Sequence, residues 1–117
     1  MIHFHWVGHF DPRDPLDFSV RPWRPKARRP LDHGAVERTL ASFPEVADYV
    51  HYDEDGGFVG CYWSDAPGKL WDRVHRFARA LAEAEGAVVM NEGPMFLIEF
   101  PPAARQAQEE FWEGPGK

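Results

Sequence analysis

Leu70, Val74, Phe77 and Leu81 recur at spacings of four, three and four residues. Only an α-helix brings such positions onto one face, and a single apolar stripe must pack against another layer. Trp71 and Ala78 widen the stripe. Ser64 or Asp65 stands where an N-cap is wanted. Pro67 falls in the first turn, where its missing N–H costs little, and Gly86 suits the left-handed position after the last turn. Short aromatic and β-branched runs lie on both sides, so the layer this helix needs is a sheet.

Residues 2–10 alternate with period two, as a half-buried strand does. Ile2, Phe4, Trp6, Gly8 and Phe10 form the expected core face, and His3, His5, Val7 and His9 the wetter one. Asp11 to Pro15 is a turn by composition, and Leu16, Phe18 and Val20 suggest a short returning edge strand that ends at Pro22. Asp32 is a candidate N-cap for a helix over 33–43, with Val36, Leu40 and Phe43 as its stripe and Pro44 as its stop. Val46–Tyr52 and Phe58–Trp63 read as strands joined by an acidic turn containing Asp55-Gly56-Gly57, a hairpin signal. Ala87–Met90 and Met95–Phe100 read as two more strands. Pro101-Pro102 stops the last one before a terminal helix over 103–112 that docks Phe111 and Trp112.

This order predicts an α+β fold: a ferredoxin-like, split βαβ antiparallel sheet with two main helices on one face. The opposite face is then open to a ligand, a partner or a second copy of the chain in a homodimer. Residues 1–113 form one domain, 11–31 a proline- and arginine-rich loop or arm within it, and 114–117 a flexible tail.

Composition narrows the function classes. The net charge is −6, which disfavours a protein that coats nucleic acid. No apolar run has the ~20 residues that cross a bilayer, and the first residues lack a signal peptide's basic start, so no membrane is expected and a cytoplasmic location is. Cys61 is the single cysteine, which removes disulfides and CxxC motifs. Its strand offers no thiolate-stabilising neighbour, so a buried structural thiol is expected. Ser64 lacks a GxSxG setting, the acidic Gly56-Gly57 turn would repel phosphate, and dinucleotide fingerprints are missing, so no cofactor is expected.

Four groups of residues remain as candidates for chemistry. His3, His5 and His9 share one face of the first strand, with His51 on another strand. Imidazoles at i and i+2 can reach one metal ion of the zinc, copper or nickel type, although the same pattern serves a strand with one wet face. Glu99 and His75 are acid–base candidates. Glu99 interrupts an apolar strand, where it equally suits the solvent side opposite Phe96, Ile98 and Phe100, and His75 lies beside the helix stripe. Residues 21–30 hold five basic side chains (Arg21, Arg24, Lys26, Arg28 and Arg29), three prolines and Trp23. Such an arm suits phosphates or an acidic surface, or folds back and partly neutralises its own domain. Asp53, Glu54 and Asp55 cluster at the hairpin tip, with Tyr49, Tyr52 and Trp63 nearby. Acid interleaved with aromatics is what occupies a basic cleft on a partner protein.

The opening Met1-Ile2-His3-Phe4-His5-Trp6 resembles the first strand of small bacterial immunity proteins that neutralise polymorphic toxins. The run Gly56 to Trp63, the long helix, and the strands Gly86 to Met90 and Met95 to Phe100 are similar in order. The chain departs from that pattern at His3, where an acidic residue is usual, in lacking Gly before Trp6, and in the basic arm. The resemblance implies a bacterial, non-catalytic inhibitor that occludes a protein partner. A small metal-dependent or ligand-binding enzyme built on the first-strand histidines is the alternative.

Overall fold

A computed structural model describes residues 5–13, 27–63, 66–91 and 98–113, with side chains described as far as 110. The elements are β1 (His5–Gly8), α1 (His33–Ala41), a 3-10 turn (Pro44–Tyr49), β2 (Val50–Asp53), β3 (Phe58–Cys61), α2 (Gly68–Glu85), β4 (Val88–Asn91), β5 (Ile98–Phe100) and α3 (Pro102–Glu113). They form a five-stranded antiparallel sheet in the order β2-β3-β1-β4-β5. The first four strands have the split βαβ order expected from the sequence, and β5 extends the sheet beyond β4. Among the described residues no helix is long and apolar enough to cross a membrane.

Two apolar layers sandwich this sheet. Register places Tyr52, Val59, Val7, Val89 and Phe100 in one row across all five strands. That row carries α2, whose Val74, Phe77 and Leu81 are fully buried, and α1, which contributes Val36. Each such side chain contributes roughly 1.5–3 kcal/mol by leaving water. Asp32 caps α1 as its sequence suggests: its carboxylate accepts the Ala35 N–H at 3.0 Å. Gly86 closes α2 in the left-handed conformation.

The first-strand faces are the reverse of the expectation. Val7 and His5 face the helices, and Trp6 faces away. A carpet of valines lets α2 approach the sheet closely, whereas an indole needs a deeper layer. Trp6 finds one in a second core with Phe10, Ala27, Phe58, Val88, Met90, Ile98 and Ala104 of α3. The sheet face expected to stand open is therefore covered over β1, β3, β4 and β5, and among the described residues only β2 presents an exposed side chain there, His51.

Three further differences have local causes. Residues 44–49 wind into a 3-10 turn because Pro44 starts it and Val46 is drawn into the core, so β2 begins only at Val50. Trp71 is 42% exposed instead of widening the buried stripe; its indole donates to the Ala66 carbonyl at 2.9 Å. The β4–β5 register slips, pairing Val89 with Phe100 but Met90 with Ile98. Glu99 is the extra residue of this bulge, and Ile98 and Phe100 consequently serve opposite cores. The helix α2 starts at Gly68 with Pro67 at its N-cap position and no capping side chain, so the cap is neither Ser64 nor Asp65 and Pro67 precedes the first turn instead of lying in it. The expected strand over 16–20, Phe96, and the docking of Phe111 and Trp112 lie outside the described residues or side chains.

The hairpin tip is strapped by the end of the basic segment. Ala27 N–H donates to Gly56 O at 2.9 Å and Leu31 N–H to Gly57 O at 3.0 Å. Gly57 has φ +71°, and a β-carbon there would lie 2.9 Å from Pro30 Cα. Gly86 has φ +64° but open space around it. Both glycines avoid the ~1–2 kcal/mol that an L side chain pays in this conformation. Gly86→Ala should cost about 1 kcal/mol and Gly57→Ala about 2–4 kcal/mol, because the second must also displace the strap. Urea unfolding of both variants measures the difference; equal costs would mean that the strap yields freely.

Candidate functional site

Polar groups gather at both ends of β1, one set around His5, its first residue, and the other around His9, which follows its last. His5 sits at the first end. Register puts it directly between Cys61 of β3 and Asn91 of β4, under α2. It is 1% exposed, and a buried imidazole needs partners. Its Nε2 contacts Nδ1 of His75, one element away on α2, with ring centroids 4.5 Å apart. Its Nδ1 lies 3.2 Å from Oε2 of Glu99. That carboxylate oxygen is off the N–H direction, so the contact is an ion–dipole attraction rather than an aligned hydrogen bond.

The β5 bulge brings Glu99 to this face, which is why the strand's alternation does not reveal it. Trp63 and Trp71 wall the cluster, with Trp63 5.1 Å from the His75 ring and 5.2 Å from the Trp71 ring, centroid to centroid. The Asn91 side-chain carbonyl is buried in this row without a hydrogen-bond partner among the described residues. Burial, then His75 and Arg79, push His5 down from 6.5 to about 3. Burial followed by Arg79 also lowers His75, against the pull of Asp72. Burial raises Glu99, against Arg79 and Arg105. The carboxylate beside Nδ1 favours the proton there, so His5 Nε2 accepts and His75 Nδ1 donates. Shifted groups collected in one place mark a candidate site.

The second end is an open cleft of about 630 Å3 lined by His9, Arg29, Leu31, Asp32, His33, Tyr52, Glu54 and Glu85, with Pro30 at its edge. The start of α1, the end of α2 and the hairpin tip meet here. Glu85 accepts the Asp32 N–H at 2.6 Å. The Tyr52 ring stacks on His33 with centroids 4.0 Å apart, and its hydroxyl donates to Leu31 O at 2.7 Å. Glu54 reaches His33 at 3.4 Å. Burial first, then Glu54, Glu85 and Asp32, push the Tyr52 phenol up, so the field in the cleft is negative. Burial and Arg29 lower His9, opposed by Glu85.

The residues singled out in the sequence are thus distributed over several places. Tyr52 and Glu54 line the cleft, and Asp55 is exposed beside it. Asp53 braces the turn, accepting the Gly56 N–H at 2.8 Å. Tyr49 is half-buried against the main core, and Trp63 belongs to the opposite end with His75. Arg28 is exposed, lies 3.6 Å from Asp11, and donates its backbone N–H to His9 O at 2.9 Å, so this part of the basic segment folds back on the domain.

His5 and His9 lie at opposite ends of β1, roughly 13 Å apart along an extended strand, too far to share an ion. His51 pairs with Gly60, placing it on the Trp6 face, and is exposed. Among the described residues no three His, Cys, Asp or Glu side chains converge as a metal site. His3 and Arg24 lie outside the described residues. Cys61 is a free, buried thiol whose ionisation burial pushes far up, so it is not a nucleophile. Asn91, Arg79, Glu85 and His33 carry no sequence signal of their own; their roles depend on the sheet order.

Neither protein-family models, curated proteins nor solved structures match this chain.

The buried histidine makes stability depend on pH. An unfolded chain protonates His5 near 6.5 and the folded one only near 3. Stability from keeping it neutral is therefore complete above 6.5 and drains as pH falls through that window. His75 adds to this loss, and Glu99, raised by burial, opposes it. In chelator-treated buffer, urea-derived stability should fall by roughly 1 kcal/mol per pH unit below 6.5. A His5→Leu variant should give a flatter profile. Parallel profiles for the two proteins would show that His5 titrates normally.

Proposed function

We propose that this domain is a non-catalytic protein-binding module, of the kind that occludes a basic partner, and that the cleft at the hairpin tip is its contact surface. One observation carries the reading: among the described residues that line the cleft, Asp32, Glu54 and Glu85 contribute three carboxylates and Arg29 one guanidinium, with Arg38 3.7 Å from Asp32. Glu54, Glu85 and Asp32 make the field at Tyr52 negative, and the stacked Tyr52–His33 pair adds a flat aromatic wall. An arginine or lysine side chain from a partner fits that chemistry, pairing with carboxylate while its stem or guanidinium plane lies on the rings. Complementary charge at such a site governs encounter rate and selectivity more than raw affinity. The exposed Glu54 and Asp55 extend the negative field beyond the rim, and the strap over 27–31 holds the tip in place. The resemblance of the sequence to small immunity proteins suggests the same role.

The test is affinity capture from native host lysate, comparing the wild type with Glu54→Lys/Asp55→Lys. Both side chains are exposed and neither braces the turn, so the variant should fold normally. The wild type should retain a stoichiometric basic protein, in a salt-sensitive manner, and the variant should lose it by tenfold or more. Full retention by the variant would place the contact elsewhere.

A further inference from the structure

We infer that the cleft at the hairpin tip selects arginine over lysine, and that His33 makes the choice by taking a guanidinium flat on its outer face. This inference rests on the protein-binding reading and names what the partner presents there: an exposed arginine side chain.

Two rings build the platform. Tyr52 and His33 stack with centroids 4.0 Å apart and planes 28° from parallel. His33 is still 57% exposed although Tyr52 covers one of its faces, so its other face looks into water. Both rings are held in place. The Tyr52 hydroxyl donates to Leu31 O at 2.7 Å, and pairing with Val59 fixes where its side chain starts. His33 is the first residue of α1, directly after the Asp32 cap, whose own N–H donates to Glu85 at 2.6 Å. A flat surface fixed before binding adds little ordering cost when a ligand arrives.

Carboxylates stand at the rim of that surface. Glu54 Oε1 lies 3.4 Å from His33 Nε2, so a plane laid over the imidazole can turn its N–H edge towards this carboxylate. Glu85 commits Oε1 to the Asp32 N–H, and Asp32 commits Oδ2 to the Ala35 N–H with Arg38 3.7 Å away. Their second oxygens accept no hydrogen bond among the described residues. Arg29, the guanidinium that lines the cleft, forms no ion pair with these three acids among the described residues. The cleft therefore keeps carboxylate capacity for a cation from outside. Lysine would find the acids but not the plane. Its ammonium is a compact, strongly hydrated point charge, whereas a guanidinium is planar and weakly hydrated, and stacks on a ring while its edge pairs with carboxylate.

NMR titration of the whole chain with N-acetyl-arginine amide and, separately, with N-acetyl-lysine amide tests the inference. The arginine probe is expected to bind about two- to fivefold more tightly, with the largest shifts at the His33 and Tyr52 rings. His33→Ala, a change at an exposed side chain, should make the two probes bind alike. His33→Phe, which restores a flat face, should recover the preference. Glu54→Gln should weaken both probes and leave arginine preferred. Equal affinities in the wild type, or an arginine preference that survives His33→Ala, would overturn the assignment. Lysate capture keeps the two readings apart. A basic partner retained by a protein that binds both probes equally would remove the arginine choice and leave the protein-binding role. A preference lost in His33→Ala, with no protein captured, would support the guanidinium site and remove that role.

Discussion

Both edges of β1 are paired, to β3 and to β4, and all four of its residues are buried. A strand in that position has no wet side, so every side chain on it must be apolar, very small or matched. Val7 meets the helix layer, Trp6 and Gly8 the second core, and His5 is the polar exception. Burying an imidazole without partners costs several times what a hydrogen bond returns, so β1 determines where its partners must stand. Those partners are His75 on the helix above and Glu99 on the edge strand.

The two polar regions of the molecule follow from the same geometry. α2 starts near His5 and ends at Glu85, so one helix contributes to both ends of β1. Between them lies the apolar middle made by Val7, Val59, Val89, Phe77 and Leu81. This layer keeps the buried imidazole pair away from the carboxylates of the cleft. It also explains the contrast in their chemistry. The first end is walled by tryptophan and holds its histidines neutral, while the second is open to water and dominated by acidic side chains.

Much of the architecture was legible from local pattern. The stripe of Leu70, Val74, Phe77 and Leu81, the Asp32 cap, the Gly86 terminator and the acidic hairpin each depend on neighbours within a turn or two, and each stands where the sequence places it. The element order then permitted the split βαβ sheet. Misreadings arose where a strand was assumed to have one wet face. Trp6 and the histidines alternate correctly, but alternation does not say which side carries the helices when both are covered. At β5 a single extra residue reversed the expected sides of Ile98 and Phe100, and no spacing within that strand announces a bulge.

His75 and Glu99 stand out individually in the sequence, as a histidine beside an apolar stripe and a carboxylate inside an apolar strand. Their meeting with His5, across 70 residues in one case, is a product of sheet order and bulge alone. The cleft has the same origin, since His9, His33, Tyr52 and Glu85 come from separate elements. The sequence by itself determined the elements, their order and the negative charge of the hairpin tip, because these follow from short-range periodicity and composition. Only the tertiary structure decided which imidazoles are buried, which carboxylate stands behind them and which acids share a cleft. Those outcomes depend on strand register and on which face each layer covers, and both are settled by long-range packing.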